Sequence, residues 1–106
     1  MKLNKKIIRV TAELKKFHPD KLILFGSYAK NGQNKNSDID ILFIKAKFLQ
    51  KRMVDRIRSI YTSLPITGVD IIPYTPMEIK HRIKFNDFFL KDALTEGIVL
   101  YEKKTG

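Results

Sequence analysis

The sequence predicts an α+β fold, a small mixed β-sheet packed by helices, in a single domain spanning residues 1–106. Three observations predict it. Short apolar runs bounded by turn residues recur at Leu22-Ile23-Leu24-Phe25, Ile39-Asp40-Ile41-Leu42-Phe43, Val69-Asp70-Ile71-Ile72 and Ile98-Val99-Leu100-Tyr101, as strands do. Segments with apolar residues three and four apart alternate with these runs, as amphipathic helices do. A length of 106 residues, 43% hydrophobic and 30% charged, suffices for one core and not for two.

Asn4 to Phe17 carries Ile7, Ile8, Val10, Leu14 and Phe17 among Lys, Arg and Glu, which predicts a helix capped by Asn4. His18-Pro19 ends it, because the residue before a proline avoids helical geometry. Leu22 to Phe25 is a continuous apolar run, the pattern of a strand buried on both faces, and Gly26-Ser27 closes it. Ser27 to Lys30 is expected as a short helix and Asn31 to Asn36 as a polar loop; a strand then runs from Asp38 to Ile44. Phe48 to Leu64, with Leu49, Met53, Ile57, Ile60, Tyr61 and Leu64 on one face, predicts a long amphipathic helix that Pro65 stops. Val69 to Ile72 is a strand that Pro73 ends or confines to an edge. Thr75-Pro76-Met77-Glu78 combines a cap, a first-turn proline and a capping-box glutamate. The helix it opens should reach Leu94, with a break near Asn86, and pack Phe85, Phe88, Phe89 and Leu90 on the sheet. Gly97 is a natural C-cap before the last strand, and Lys103 to Gly106 a frayed tail.

No apolar run approaches the roughly 20 residues of a membrane span, and no apolar block of a signal peptide follows the first methionine. With no cysteine, disulfides and thiolate metal sites are excluded, which suits a cytoplasmic protein. The net charge of +10, from 21 Lys and Arg against 11 Asp and Glu, favours anionic partners of any kind. The basic residues are spread over every expected helix, Arg56 among them, and read as solvated helix faces. His18 and His81 read as surface residues, and Asp87 and Asp92 as a solvated helix flank.

The chemistry sits at Gly26-Ser27, Ser37-Asp38-Ile39-Asp40 and Asp70. Side chains alternate along a strand, so Asp38 and Asp40 share a face while Ile39 and Ile41 take the other. Neighbouring anions repel unless a cation or a shared proton relieves them, so the pair asks for a metal. Asp70 repeats the oddity and can complete the set if its strand lies beside the second. Three carboxylates suit two ions about 3.5–4 Å apart in phosphoryl chemistry. Oxygen donors without cysteine point to Mg²⁺, with Mn²⁺ as substitute. Gly26 lets a ligand approach the backbone, and free N–H groups at a helix start attract phosphate. The plainer readings are a simple Gly-Ser turn and, with Ser37 before it, a capping role for Asp38.

At these residues the chain resembles the minimal nucleotidyltransferases of the DNA polymerase β-like superfamily. Their hallmark is Gly-Ser, a polar spacer, an Asp-x-Asp pair and a third Asp on a later strand, found here as Gly26-Ser27, Asp38-x-Asp40 and Asp70. The resemblance implies the polymerase β-like fold and transfer of a nucleoside monophosphate, usually AMP from ATP, to an acceptor hydroxyl. It implies that Asp38 and Asp40 bind two Mg²⁺ ions, that Asp70 completes the nucleophile-side ion, and that Gly26, Ser27 and Ser37 bind the nucleotide. The expected elements leave no second domain to form an acceptor wall, so a partner or a second copy is expected to supply it. Minimal members are similar to the antitoxin of a pair whose toxin is a small helical ribonuclease of the HEPN class, silenced by adenylylation of a tyrosine. The competing expectations are a binding module that neutralises its partner without catalysis, and a nucleotidyltransferase acting on a small molecule or RNA. The sequence shows no aromatic-basic platform for RNA.

Overall fold

A computed structural model describes residues 5–26, 29 and 39–104. Among them the chain forms helix α1 (Lys5–Lys15), strands β1 (Lys21–Phe25) and β2 (Ile39–Ile44), helix α2 (Met53–Ser63) and strand β3 (Val69–Tyr74). Helices α3 (Pro76–Lys84) and α4 (Phe88–Glu96) and strand β4 (Ile98–Glu102) complete it. The strands form one mixed sheet in the order β3-β2-β1-β4, with β1 antiparallel to β2 and β4 and with β2 parallel to β3. The α+β expectation holds.

The two central strands have the continuous apolar composition of strands covered on both faces. One face presents Leu22, Leu24, Ile39, Ile41, Phe43, Val69 and Ile71 to Ile7, Val10 and Leu14 of α1 and to Ile60 of α2. The other presents Ile23, Phe25, Leu42 and Ile44 to Ile79 of α3 and to Leu90 and Ala93 of α4. Pro73 lies within β3, which is an edge strand, so the missing N–H costs no ladder bond. Thr75 and Glu78 form the capping box: the Thr75 hydroxyl accepts from the Glu78 N–H and a Glu78 carboxylate oxygen from the Thr75 N–H. The break between α3 and α4 falls where expected, with Asn86 at φ 63°.

Several expectations are corrected. Ile8 of α1 is exposed, off the stripe of Ile7, Val10 and Leu14. Phe48 to Arg52 is not helical, because its groups are engaged elsewhere. The Phe48 ring packs on Phe43 at 5.9 Å and under the Arg56 guanidinium at 4.5 Å, while the Gln50 carbonyl accepts from Arg56 Nε at 2.8 Å. Leu49, expected on the buried helix face, is 94% exposed. Arg56 is no solvated residue: it is buried and paired to Glu78 at 2.7 Å, tying α2 to α3. Asp87 caps α4, its carboxylate accepting from the Leu90 N–H at 3.0 Å.

The aromatic residues of the α3–α4 corner differ most. Only Leu90 is buried; Phe85, Phe88 and Phe89 are 69%, 73% and 54% exposed. Phe89 meets the sheet through an edge-to-face contact with Phe25 at 5.1 Å, and Lys91 lies over the Phe88 ring at 5.9 Å. The Asn4 cap, the Ser27–Lys30 helix, the Asn31–Asn36 loop and residues 105 and 106 of the tail fall wholly or largely outside the described residues.

Candidate functional site

The sheet register assembles the site. Asp40 of β2 pairs with Phe25 of β1 on one side and with Asp70 of β3 on the other. In-register neighbours on one face stand about 4.8 Å apart, so the two carboxylates project side by side. They share a face with Leu42, Ile72 and Tyr74, the face that α3 and α4 cover. The cover stops short of them: Asp40 is half-buried and Asp70 exposed.

Gly26 follows Phe25 at φ 77°, a conformation open to glycine and strained for other residues. A Cβ there would overlap Asp40 Oδ2 and lie 3.3 Å from its Cγ. The turn after β1 is thus folded against the Asp40 carboxylate, and only glycine leaves that carboxylate its place. Gly26, Asp40 and Asp70, far apart in sequence, converge from three neighbouring strands. Ser27, Ser37 and Asp38 lie outside the described residues. Among the described residues no group of three His, Cys, Asp or Glu side chains forms a metal cluster. Asp40 and Asp70 themselves offer paired carboxylate oxygens, a donor set that suits a hard divalent cation such as Mg²⁺ or Mn²⁺.

Tyr61 is the neighbour that sequence reasoning missed. From α2 its hydroxyl donates to the Val69 carbonyl and accepts from the Ile71 N–H at 2.9 Å. Burial pushes the phenol above its ordinary pKa and the Ile71 N–H bond pulls it down; the Asp70 and Asp40 carboxylates push it further up. The available signal was a hydroxyl on a buried apolar stripe, which needs a partner. Elsewhere, a hollow of about 870 Å³ lies beside α3, lined by Met53, Tyr74, Met77, His81 and Lys84 among others; Gly26, Asp40 and Asp70 do not line it. His18 and His81 are exposed, as expected.

A sheet that sets two strand carboxylates against a glycine turn is the layout that the sequence resemblance implies. The nucleotidyltransferase domain family matches residues 5–100, and the chain belongs to it. Two solved structures share the fold. One is a candidate nucleotidyltransferase from Sulfolobus solfataricus, 21% identical, with TM-score 0.59 over 100% of this chain and 96% of that one. The other is a toxin-antitoxin structure with AMP-PNP, 23% identical, with TM-score 0.55 over 96% of this chain and 76% of that one. No curated protein matches the sequence significantly.

Proposed function

We propose that the chain transfers AMP from ATP to a tyrosine hydroxyl of a small helical HEPN-class toxin, and so acts as its antitoxin. The carrying observation is the register of Asp40 and Asp70 beside Gly26. Membership of the nucleotidyltransferase family supports the chemistry, and the likeness to a toxin-antitoxin structure with AMP-PNP supports the nucleotide and the partner.

In this reading Asp38, Asp40 and Asp70 would hold two divalent cations, Mg²⁺ or Mn²⁺, and Gly26, Ser27 and Ser37 the triphosphate. The cations would neutralise phosphate charge and acidify the acceptor hydroxyl. The remaining work belongs to the chain and is largely positioning. Gly26 lets the triphosphate approach the backbone next to Asp40. Asp70, exposed on the outer strand, faces an incoming hydroxyl and would take its proton. The acceptor oxygen bonds to the α-phosphorus, the bond from that phosphorus to the β-phosphate oxygen breaks, and pyrophosphate leaves with the electron pair.

The test is incubation of the chain with labelled ATP, Mg²⁺ and a small helical HEPN-class protein with which it forms a complex. Label is expected on a partner tyrosine and is expected to vanish with Asp40→Asn. An unlabelled partner in a complex that demonstrably forms would overturn the proposal.

A further inference from the structure

We infer that Tyr61 is a positioning residue of the carboxylate site, its hydroxyl holding the β3 backbone on both sides of Asp70 and so fixing where that carboxylate stands beside Asp40. The inference rests on the reading of Asp40 and Asp70 as cation ligands.

The argument starts from the backbone of β3. At the two ends of its pairing with β2, the Ile39 N–H donates to the Gly68 carbonyl at 3.4 Å and the Lys45 N–H to the Tyr74 carbonyl at 3.1 Å. Peptide groups alternate in direction along a strand, so those of the even-numbered residues, Asp70 included, turn towards β2. The groups of Val69 and Ile71 turn away from it, at the outer edge of the sheet. A single phenol oxygen takes two of them, one as donor and one as acceptor. The residue between those two anchor points is Asp70.

Asp70 is therefore restrained from both edges, by β2 on one and by Tyr61 on the other. Its side chain is exposed and its carboxylate gains nothing from core packing, unlike Val69 and Ile71 on either side. The direction of its Cα–Cβ bond is then set by the β3 backbone and not by packing of its own side chain. Tyr61 can serve as a fixed point because its ring packs with the first core and because Ile60 and Leu64 beside it are buried. Ligands of a cation must be held to within a fraction of an ångström, and supporting groups on rigid elements provide this.

The test compares wild type, Tyr61→Phe and Asp70→Asn by two measurements that do not depend on catalysis. Free Mn²⁺ is titrated by electron paramagnetic resonance, and exchange of the Ile71 amide is followed by NMR. Tyr61→Phe should weaken Mn²⁺ binding about three- to tenfold, the scale of one of the two hydrogen bonds the phenol makes, and speed Ile71 exchange by a similar factor. Faster Ile71 exchange with Mn²⁺ affinity at the wild-type value would overturn the inference, leaving Tyr61 a merely structural residue. Wild-type Mn²⁺ affinity in Asp70→Asn would instead overturn the cation-ligand reading, and this inference with it. Should Tyr61→Phe fail to fold, the reciprocal measurement on wild type decides. Mg²⁺ should then slow Ile71 exchange more than exchange at Val10, buried in α1 and not bonded to β3, and equal slowing would overturn the inference.

Discussion

The two faces of the sheet are built from the same strands and end differently. On the α1/α2 face the apolar rows run unbroken from Leu22 on β1 to Val69 on β3, with the buried Arg56 at their margin on Phe48. On the α3/α4 face the apolar rows run from Ile44 back to Leu42, and the next row is Phe25, Asp40 and Asp70. The candidate site is thus the place where one core stops while the other continues beneath it. The sealed face supplies rigidity and the unfinished one carries the candidate site, and the backbone of three strands joins them.

Breaking the sealed face should cost most. Ile41→Ala empties a fully buried position and is expected to destabilise by about 2–5 kcal/mol in denaturant unfolding. Breaking the open face should separate activity from stability. Asp70→Asn is expected to slow nucleotidyl transfer about a hundredfold or more, some 2.7 kcal/mol of barrier. Its unfolding free energy should stay within about 0.5 kcal/mol of wild type, as for other exposed positions. A large stability loss in Asp70→Asn would show that the two faces are not divided as described.

Gly26→Ala tests the seam between them. The left-handed backbone alone should cost about 1–2 kcal/mol. The new Cβ must also displace the Asp40 carboxylate, so transfer should fall by more than the stability loss explains. Equal losses would mean that the turn matters to the fold and not to the site. The smallest effect concerns Glu78, which ties the open face's α3 to Arg56. Burial raises its carboxyl pKa, but hydrogen bonds from Arg56 and from the Thr75 N–H outweigh this and hold it below the ordinary value. A folded-state pKa that is lowered gives stability present above the unfolded pKa and lost as pH falls through the folded one. The stability gap between wild type and Glu78→Gln should therefore narrow on acidification, and a gap independent of pH would refute the linkage.

The strands were legible because each apolar run is bracketed by turn residues, and the second helix pair because Thr75-Pro76-Met77-Glu78 and Asn86 carry local backbone preferences. Asp40 and Asp70 were singled out because aspartate is a poor strand former, although their register was a matter of topology. What failed was decided by long-range contacts. Phe48 and Leu49 continue the helical spacing, yet Arg56 claims the Gln50 carbonyl and the Phe48 ring instead. Phe85, Phe88 and Phe89 are apolar, but α4 has room beneath it only for Leu90 and Ala93. The role of Tyr61 depends on where α2 crosses β3, which no local pattern encodes.

The outer edge of β3 has one more consequence. An exposed strand edge invites a foreign strand to pair with it, which needs free N–H and C=O groups in alternation. Here the Val69 carbonyl and the Ile71 N–H are taken by Tyr61, Pro73 has no N–H, and Arg56 Nη1 lies 3.4 Å from the Pro73 carbonyl. An extended peptide therefore finds the ladder interrupted on this side, and so does the same edge of another copy. Any protein acceptor would then approach Asp40 and Asp70 more readily with side chains than by lengthening the sheet, and growth into edge-to-edge aggregates is hindered on the side of the candidate site.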